Sequence, residues 1–333
     1  MKSSSKMLFL SMLIISTIMV LSSSSWLNMW IGLEINLMSF IPLISYPKNM
    51  YLSQSTMSYF LIQSMSSMMF ITFILMHKYI FLFNNKNMIK MLIMLTMMMK
   101  MGMPPFHMWF PEVMNKMTWV TCFILMTWQK IAPLFIMSTV IYLNKMTATI
   151  ICMSALMGAV GGINQTSTRK IMAHSSMNHM SWLVSCTAMF KKSWMTYMMI
   201  YTLLMMIVSL MMYNYNIMFI NQLNIAPCKN MEKMIIISLM MSIGGLPPFL
   251  GFLPKWIAIQ HMISSKEFMM MMIMMASALI TLTYYLRTSM MMNLMMSHSQ
   301  KWMNLSLTKG WLMSLIMSTN MMLPILILLM NFY

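Results

Sequence analysis

Four ionisable side chains lie inside long apolar stretches of the sequence: Glu34, Lys100, Lys130 and Lys255. A charged group at the centre of a membrane span costs about 2.5–3.5 kcal/mol on insertion scales, so such residues are functional candidates. Burial favours the neutral form of each group, whereas a neighbouring opposite charge favours the charged form. A row of such groups can hold a proton, or pass it on when a neighbour's charge changes. These residue types therefore predict proton transfer within a membrane.

Each of the four residues also has a structural alternative. Lys100 directly precedes one proline-rich stretch and Lys255 directly follows another. Either lysine could be an anchor whose ammonium reaches towards water. Glu34 and Lys130 could form ion pairs that move no proton. Pro133 follows Lys130 by three residues and has no N–H to give to the turn that contains it.

Histidines form a second and weaker set of candidates. His174 and His179 lie five residues apart in AHSSMNHMSW. They could bridge a proton path, because imidazole titrates near neutral pH, or they could be hydrogen-bonded structural groups. His107 and Glu112 lie within the first proline-rich stretch, where they either line a cavity or mark its surface end.

The sequence contains none of the usual motifs for a metal or a redox cofactor. It has no HExxH, no CxxC, no P-loop and no GxGxxG after a strand. We therefore expect no metal site, no iron–sulfur cluster and no nucleotide site in this chain. The cysteines are far apart and we expect reduced, mostly buried thiols: Cys122, Cys152, Cys186 and Cys228.

Composition indicates the membrane as the solvent for most of the chain. Of 333 residues, 60% are hydrophobic and 8% are charged, with 21 Lys and Arg against 4 acidic residues. The basic residues are scattered at the ends of apolar segments, which favours contacts to anionic lipids such as cardiolipin over nucleic acid. The 62 Met are typical of an A+T-rich mitochondrial genome in which AUA encodes Met. We therefore expect a mitochondrially encoded protein.

Apolar run length predicts an all-α polytopic protein with about eleven spans. Loops on the side of the N-terminus carry more Lys and Arg than the other loops. For a mitochondrially encoded, multi-pass protein of the inner membrane, this bias predicts an N-terminus in the matrix. The predicted spans are 7–24, 26–45, 57–76, 88–113, 117–142, 146–163, 171–190, 194–213, 234–261, 268–289 and 311–331.

Two of these spans contain the same unusual motif. GMPPFHMWFP begins at Gly102 and GLPPFLGFLP begins at Gly245, and the two align without a gap as G-x-P-P-F-x-x-x-x-P. They fall in the fourth and ninth spans, so each lies in one of two five-span units. Because five is odd, the second unit starts on the opposite side, as in the inverted repeats of transporters. The expected single membrane domain divides into 1–145, 146–290 and a connecting segment with a final helix, 291–333.

Several motifs together resemble one family. WLNMWIGLEINLMSFIPL, GMPPFHMWFPE, TWQKIAP, GAVGGINQTSTRKIMAHSSMNHMSW and GGLPPFLGFLPKW occur in the order found in subunit 2 of mitochondrial NADH dehydrogenase, an antiporter-like subunit of respiratory complex I. The resemblance covers nearly the whole chain and weakens after about residue 290. It implies two inverted five-helix units, each with a discontinuous fourth helix, followed by a final helix.

The resemblance also implies roles and partners. It assigns a proton relay to Glu34, Lys100, Lys130 and Lys255, with Glu34 paired to Lys100. It implies that other complex I subunits, including further antiporter-like ones, are the partners, and that they bind NADH, FMN, iron–sulfur clusters and ubiquinone. The expected function is proton translocation coupled to electron transfer in those subunits. The alternatives are a stand-alone cation/proton antiporter subunit and a structural membrane subunit whose ion pairs transport nothing.

Overall fold

The computed structural model describes residues 3–45, 49–80, 86–225, 230–294 and 310–324. Within these ranges the chain forms fifteen helices and one isolated bridge, between Ser167 and Phe219. The helices are α1 (Ser3–Ser22), α2 (Trp26–Ile44), α3 (Met50–Ile80), α4 (Lys86–Met101), α5 (Trp109–Lys116), α6 (Trp119–Met126), α7 (Trp128–Val140), α8 (Lys145–Gly162), α9 (Thr168–Met189), α10 (Ser193–Asn214), α11 (Gln222–Ile225), α12 (Asn230–Gly244), α13 (Phe252–Ser264), α14 (Phe268–Leu294) and α15 (Gly310–Asn320).

The chain divides into two compact units, Met1–Ile150 and Ile151–Tyr333. In the first unit α1 packs on α2, α3 packs on α2 and α4, and α7 packs on α4. Ser25 caps the start of α2 by accepting a hydrogen bond from the backbone N–H of Asn28. The all-α prediction is confirmed, whereas the division into 1–145, 146–290 and 291–333 stays a prediction. Cys228 and residues 295–309 and 325–333 lie outside the described residues.

The second unit is built around α9. This helix contacts α10, α13 and α14, and every residue from Ile171 to Thr187 is buried. Its serines satisfy their hydroxyl groups within the helix; Ser175, for example, donates to the carbonyl oxygen of Met172 at 2.8 Å. A polar helix can lie inside a membrane protein when its side chains face other helices instead of lipid. The position of α9 therefore explains how AHSSMNHMSW fits among apolar segments.

The first proline-rich stretch ends α4 at a Schellman motif. Gly102 has a left-handed backbone (φ 69°), which glycine adopts without strain. Its N–H donates to the carbonyl of Met99 at 3.3 Å, and the N–H of Met103 donates to the carbonyl of Met98 at 3.0 Å. The helix stops here because the chain turns left-handed just before the prolines.

The second proline-rich stretch ends α12 in the same way. Gly245 is also left-handed (φ 84°), its N–H donates to the carbonyl of Ser242 at 2.9 Å, and Leu246 N–H donates to the carbonyl of Met241 at 3.3 Å. The turns that follow match as well, since Phe106 N–H donates to Met103 and Phe249 N–H to Leu246. Both stretches interrupt a helix, as the sequence predicts.

Seven helical segments of the described chain are long and apolar enough to cross a membrane. They are Ser4–Ser22, Trp26–Ile44, Met50–Met76, Trp119–Val140, Lys145–Gly162, Ser193–Asn214 and Phe268–Met292. Two of the other four predicted spans are divided by the proline-rich stretches, and a third coincides with the polar α9. The fourth, 311–331, extends beyond the described residues. The eleven-span count stays a prediction.

Candidate functional site

Lys100 lies in the last turn of α4, immediately before the first interruption, and its side chain is buried. Its backbone carbonyl, one of those left without a helical partner at the helix end, accepts a 2.9 Å hydrogen bond from Nε2 of Gln63 on α3. The half-buried carboxylate of Glu34, on α2, interacts electrostatically with Lys100. The fold therefore places these two groups, which the sequence assigns to separate spans, close enough to interact electrostatically.

Lys130 occupies the start of α7 and is almost fully buried, with 2% of its surface exposed. Its Nζ lies 4.8 Å from the centre of the Phe110 ring, a cation–π distance. Phe110 in turn packs against Gly102, where a Cβ would come within 2.8 Å of the Phe110 Cβ. The interrupted helix therefore positions the ring that faces the Lys130 ammonium.

The predicted span 117–142 is itself divided, between α6 and α7 at Thr127. Pro133 lies within α7 and cannot donate to the carbonyl of residue 129, which weakens the helix at this level. The Thr127 side chain donates to the carbonyl of Phe123 at 2.7 Å, and Lys130 N–H bonds back to the carbonyl of Thr127 at 3.2 Å. Lys130 thus projects from an irregular turn.

A cavity of about 20 Å³ lies in the first unit, and both Lys100 and Lys130 line it. A space of about 10–15 Å³ on this measure is enough for one water molecule. Polar side chains form much of the remaining wall: Asn36, Tyr59, Gln63 and Gln129. The cavity is therefore small, has several polar groups in its wall, and can hold about one water in a space that both lysines line.

Amide side chains connect the walls of this cavity, and the sequence reasoning missed them. Nε2 of Gln129 donates to Oδ1 of Asn36 at 2.9 Å, and the hydroxyl of Tyr59 approaches Oε1 of Gln129 at 3.4 Å. The sequence could have indicated them, because both lie close to candidate charged residues: Asn36 is two residues from Glu34, and Gln129 adjoins Lys130. Uncharged amides cost less to bury than charges, so a search for charges alone passes over them.

Lys255 lies on α13, one turn after the second interruption, and its side chain is buried. Its Nζ donates a 2.6 Å hydrogen bond to the backbone carbonyl of Gly244, the last residue of α12. A Cβ on Gly245 would lie 2.7 Å from this Nζ, so the glycine also makes room for the lysine. The lysine therefore supplies a partner for a carbonyl that the interruption leaves without one.

The histidines of α9 lie in the same unit as Lys255. His179 and Lys255 line one narrow space with Asn178, and this space is too small for a water molecule. Nδ1 of His179 is 3.0 Å from the hydroxyl of Tyr197. His174 is buried against α8, where a Cβ on Gly161 would come within 2.6 Å of its ring. The structure thus brings His179, but not His174, to the space that Lys255 lines.

His107 and Glu112 have different environments within the first interruption and α5. The His107 side chain is buried, and its Nδ1 has no hydrogen-bond partner in the described part of the chain. Glu112 is exposed in the first turn of α5, where a carboxylate stabilises the helix N-terminus. Neither residue lines the cavity between Lys100 and Lys130.

A family model described as NADH:quinone oxidoreductase/Mrp antiporter, TM, matches residues 23–281. "NADH-ubiquinone oxidoreductase chain 2" of Locusta migratoria is 43% identical over 303 residues, covering 90% of this chain and 89% of the relative. The chain belongs to the NADH-ubiquinone oxidoreductase chain 2 family. The member from Anopheles gambiae is also 43% identical, over 91% of this chain and 90% of its own.

The fold of this chain 2 family member is found in solved structures. A chain of respiratory complex I from Thermus thermophilus matches with a TM-score of 0.80 over 95% of this chain and 76% of that chain, at 15% identity. The described residues of the chain contain no group of three or more His, Cys, Asp or Glu that could hold a metal ion. Its chemically distinctive groups are the buried amines, which can bind and release protons.

Proposed function

We propose that this chain is a proton-translocating subunit of a respiratory NADH:ubiquinone oxidoreductase. The observation that carries the proposal is the cavity between Lys100 and Lys130, which has space for about one water. Two amines separated by one water can exchange a proton without a large movement of the protein. Membership of the chain 2 family supports the same function.

Glu34 controls the first transfer in this proposal. Its negative charge stabilises the ammonium form of Lys100, with which it interacts electrostatically. When the Glu34 charge is neutralised or drawn away, Lys100 holds its proton less firmly and passes it through the water to Lys130. The Phe110 ring stabilises the Lys130 ammonium, 4.8 Å from the ring centre.

Lys255 and His179 continue the relay in the second unit, in our proposal. The space that they share is closed to water, so a proton passes only when the side chains around it move. The hydrogen bond from Lys255 to the carbonyl of Gly244 would be exchanged during this movement. In this proposal, proton transfer at Lys255 is therefore linked to the hydrogen bonding of the C-terminus of α12. His174, His107 and Glu112 have no assigned step.

The architecture that we propose has about eleven spans, with two inverted five-helix units and a final helix. Support comes from the two interruptions, which share a sequence motif, a left-handed glycine and the same pattern of hydrogen bonds. The proposal also places the chain in the mitochondrial inner membrane with its N-terminus in the matrix, supported by the distribution of Lys and Arg.

The redox chemistry belongs to other subunits in this proposal. They would bind NADH, FMN, iron–sulfur clusters and ubiquinone, while this chain responds electrostatically and translocates protons. Support for an assembly of membrane subunits comes from the structural neighbour, which is one chain of a respiratory complex.

Replacement of Lys130 by Met tests the proposal in the assembled complex. We expect K130M to reduce the number of protons pumped per NADH oxidised while the complex still assembles. The matched control is K145M, because Lys145 is exposed at the start of α8 and lies outside the cavity. Wild-type pumping in K130M would support a structural subunit instead. Cation-dependent proton transport by the isolated chain in liposomes would support an antiporter.

A further inference from the structure

A second and much larger cavity lies in the first unit, away from the lysine relay. Its volume is about 380 Å³, within the range of cavities that bind small ligands. Three buried apolar side chains, Ile74, Ile93 and Val140, line it. An apolar interior cannot pass protons between polar groups, so the proposed relay does not account for this cavity.

The mouth of this cavity carries a positive charge. Lys90 lines it and is exposed, and its Nζ lies 5.6 Å from the centre of the Tyr142 ring. This cation–π contact restrains the position of the ammonium. The other exposed residues that line the cavity are Ser25, Leu27 and Thr139. The cavity therefore combines an apolar interior with one cation at its entrance.

The cavity lies at one end of the first unit, close to the ends of α2, α3, α4 and α7. Ser25 is the N-cap of α2, Lys90 is in the second turn of α4, and Val140 is the last residue of α7. Ile74 is near the end of α3. In the proposed topology successive spans cross the membrane in opposite directions, so all these positions lie at the end opposite the N-terminus of α1. A cavity at the end of membrane spans is at the depth of lipid headgroups.

Trp26 marks the same depth. It begins α2, lines the cavity and makes an edge-to-face contact with Phe70, with ring centres 6.4 Å apart. Tryptophan concentrates at the boundary between the hydrocarbon core and the headgroups. Lysine ammonium groups bind phosphate as point charges, and their stems lie along apolar surface. Each feature of the mouth therefore matches an anionic headgroup.

We infer that this cavity is a binding site for an anionic phospholipid. One acyl chain fills the interior against Ile74, Ile93 and Val140, and the headgroup phosphate pairs with Lys90. A soluble anion would leave the apolar interior unfilled. A zwitterionic lipid carries a cation of its own that offsets its attraction to Lys90. The site is independent of the proposed proton relay, since neither Lys100 nor Lys130 lines it.

Photo-crosslinking of the purified complex tests this site. The complex is exchanged into phosphatidylglycerol that carries a diazirine near the end of one acyl chain, or into phosphatidylcholine with the same chain. After irradiation, peptides of this subunit are mapped by mass spectrometry. We expect phosphatidylglycerol to label the peptides of the cavity about fivefold more than phosphatidylcholine, the difference that one lysine near an anionic headgroup produces.

Three variants make the test specific. K90Q should lower phosphatidylglycerol labelling to the phosphatidylcholine level, and I93W, which fills the interior, should remove both. K145Q should label as wild type, because Lys145 is exposed at the same end of the unit but outside the cavity. If I93W does not assemble, the K90Q result alone tests the site, because Lys90 is exposed and its replacement leaves the buried packing unchanged. Equal labelling by the two lipids in wild type, unchanged labelling in K90Q, or no labelling at all would overturn the proposal.

Discussion

The ammonium nitrogen of Lys255 donates a 2.6 Å hydrogen bond to the carbonyl oxygen of Gly244, where α12 ends. A helix C-terminus carries partial negative charge, so a cation at this point stabilises it. The lysine is buried and the carbonyl has no helical partner of its own. The charge state of Lys255 and the geometry of the helix end are consequently coupled.

Replacement of Gly245 by Ala tests this coupling. The substitution places a side chain on a left-handed residue, which costs about 1–2 kcal/mol, and puts its Cβ 2.7 Å from Nζ of Lys255. We expect G245A to lower the thermal stability of the subunit and the pumping ratio together. G244A is the matched control, because its added Cβ would have no neighbour closer than 3.5 Å. Equal loss in both variants would contradict the role given to Gly245.

The amide network of the first unit predicts a second effect. Q129L removes the donor that Asn36 Oδ1 accepts at 2.9 Å and leaves a buried acceptor, at a cost of about 1–3 kcal/mol. We expect a lower inactivation temperature and a lower pumping ratio. Y59F removes only the 3.4 Å contact and should have the smaller effect on both. If Y59F is as harmful as Q129L, the network is not held together as described.

The hydroxyl of Tyr197 predicts a third effect, on His179. Y197F removes the group 3.0 Å from Nδ1 of His179, and we expect about 0.5–1.5 kcal/mol less stability. If His179 takes part in proton transfer, the pH profile of pumping should shift in Y197F as well. Y213F is the control on the same helix, since Tyr213 is 50% exposed. A stability loss without a shift of the profile would assign His179 a structural role.

The contact between α8 and α9 predicts a fourth effect. A Cβ on Gly158 would lie 2.7 Å from the backbone nitrogen of Asn178, and backbone cannot rotate out of the way. We expect G158A to push α8 away from α9 and to destabilise the second unit by about 1–3 kcal/mol. V160A, at a position that is 56% exposed, should be nearly neutral. Measured unfolding temperatures that agree between the two variants would refute this packing.

Sequence reasoning located the features whose chemistry is unusual for a membrane. Prolines in apolar runs gave the two interruptions, and charges in apolar runs led to Lys100, Lys130 and Lys255, which are all buried. It missed the features that depend on contacts between distant segments. Gln63 on α3 donates to the carbonyl of Lys100, and no local sequence pattern predicts that contact.

The burial of α9 has a consequence for how the protein is made. Each apolar helix can leave the insertion machinery and enter lipid on its own, because lipid solvates its surface. Helix α9 is not among the segments apolar enough to do so, and its buried polar residues would then face hydrocarbon. We therefore expect α9 to enter the bilayer together with α10, α13 and α14, which cover its polar side chains. Biogenesis of this half would then be a concerted event whose timing is set by its most polar helix.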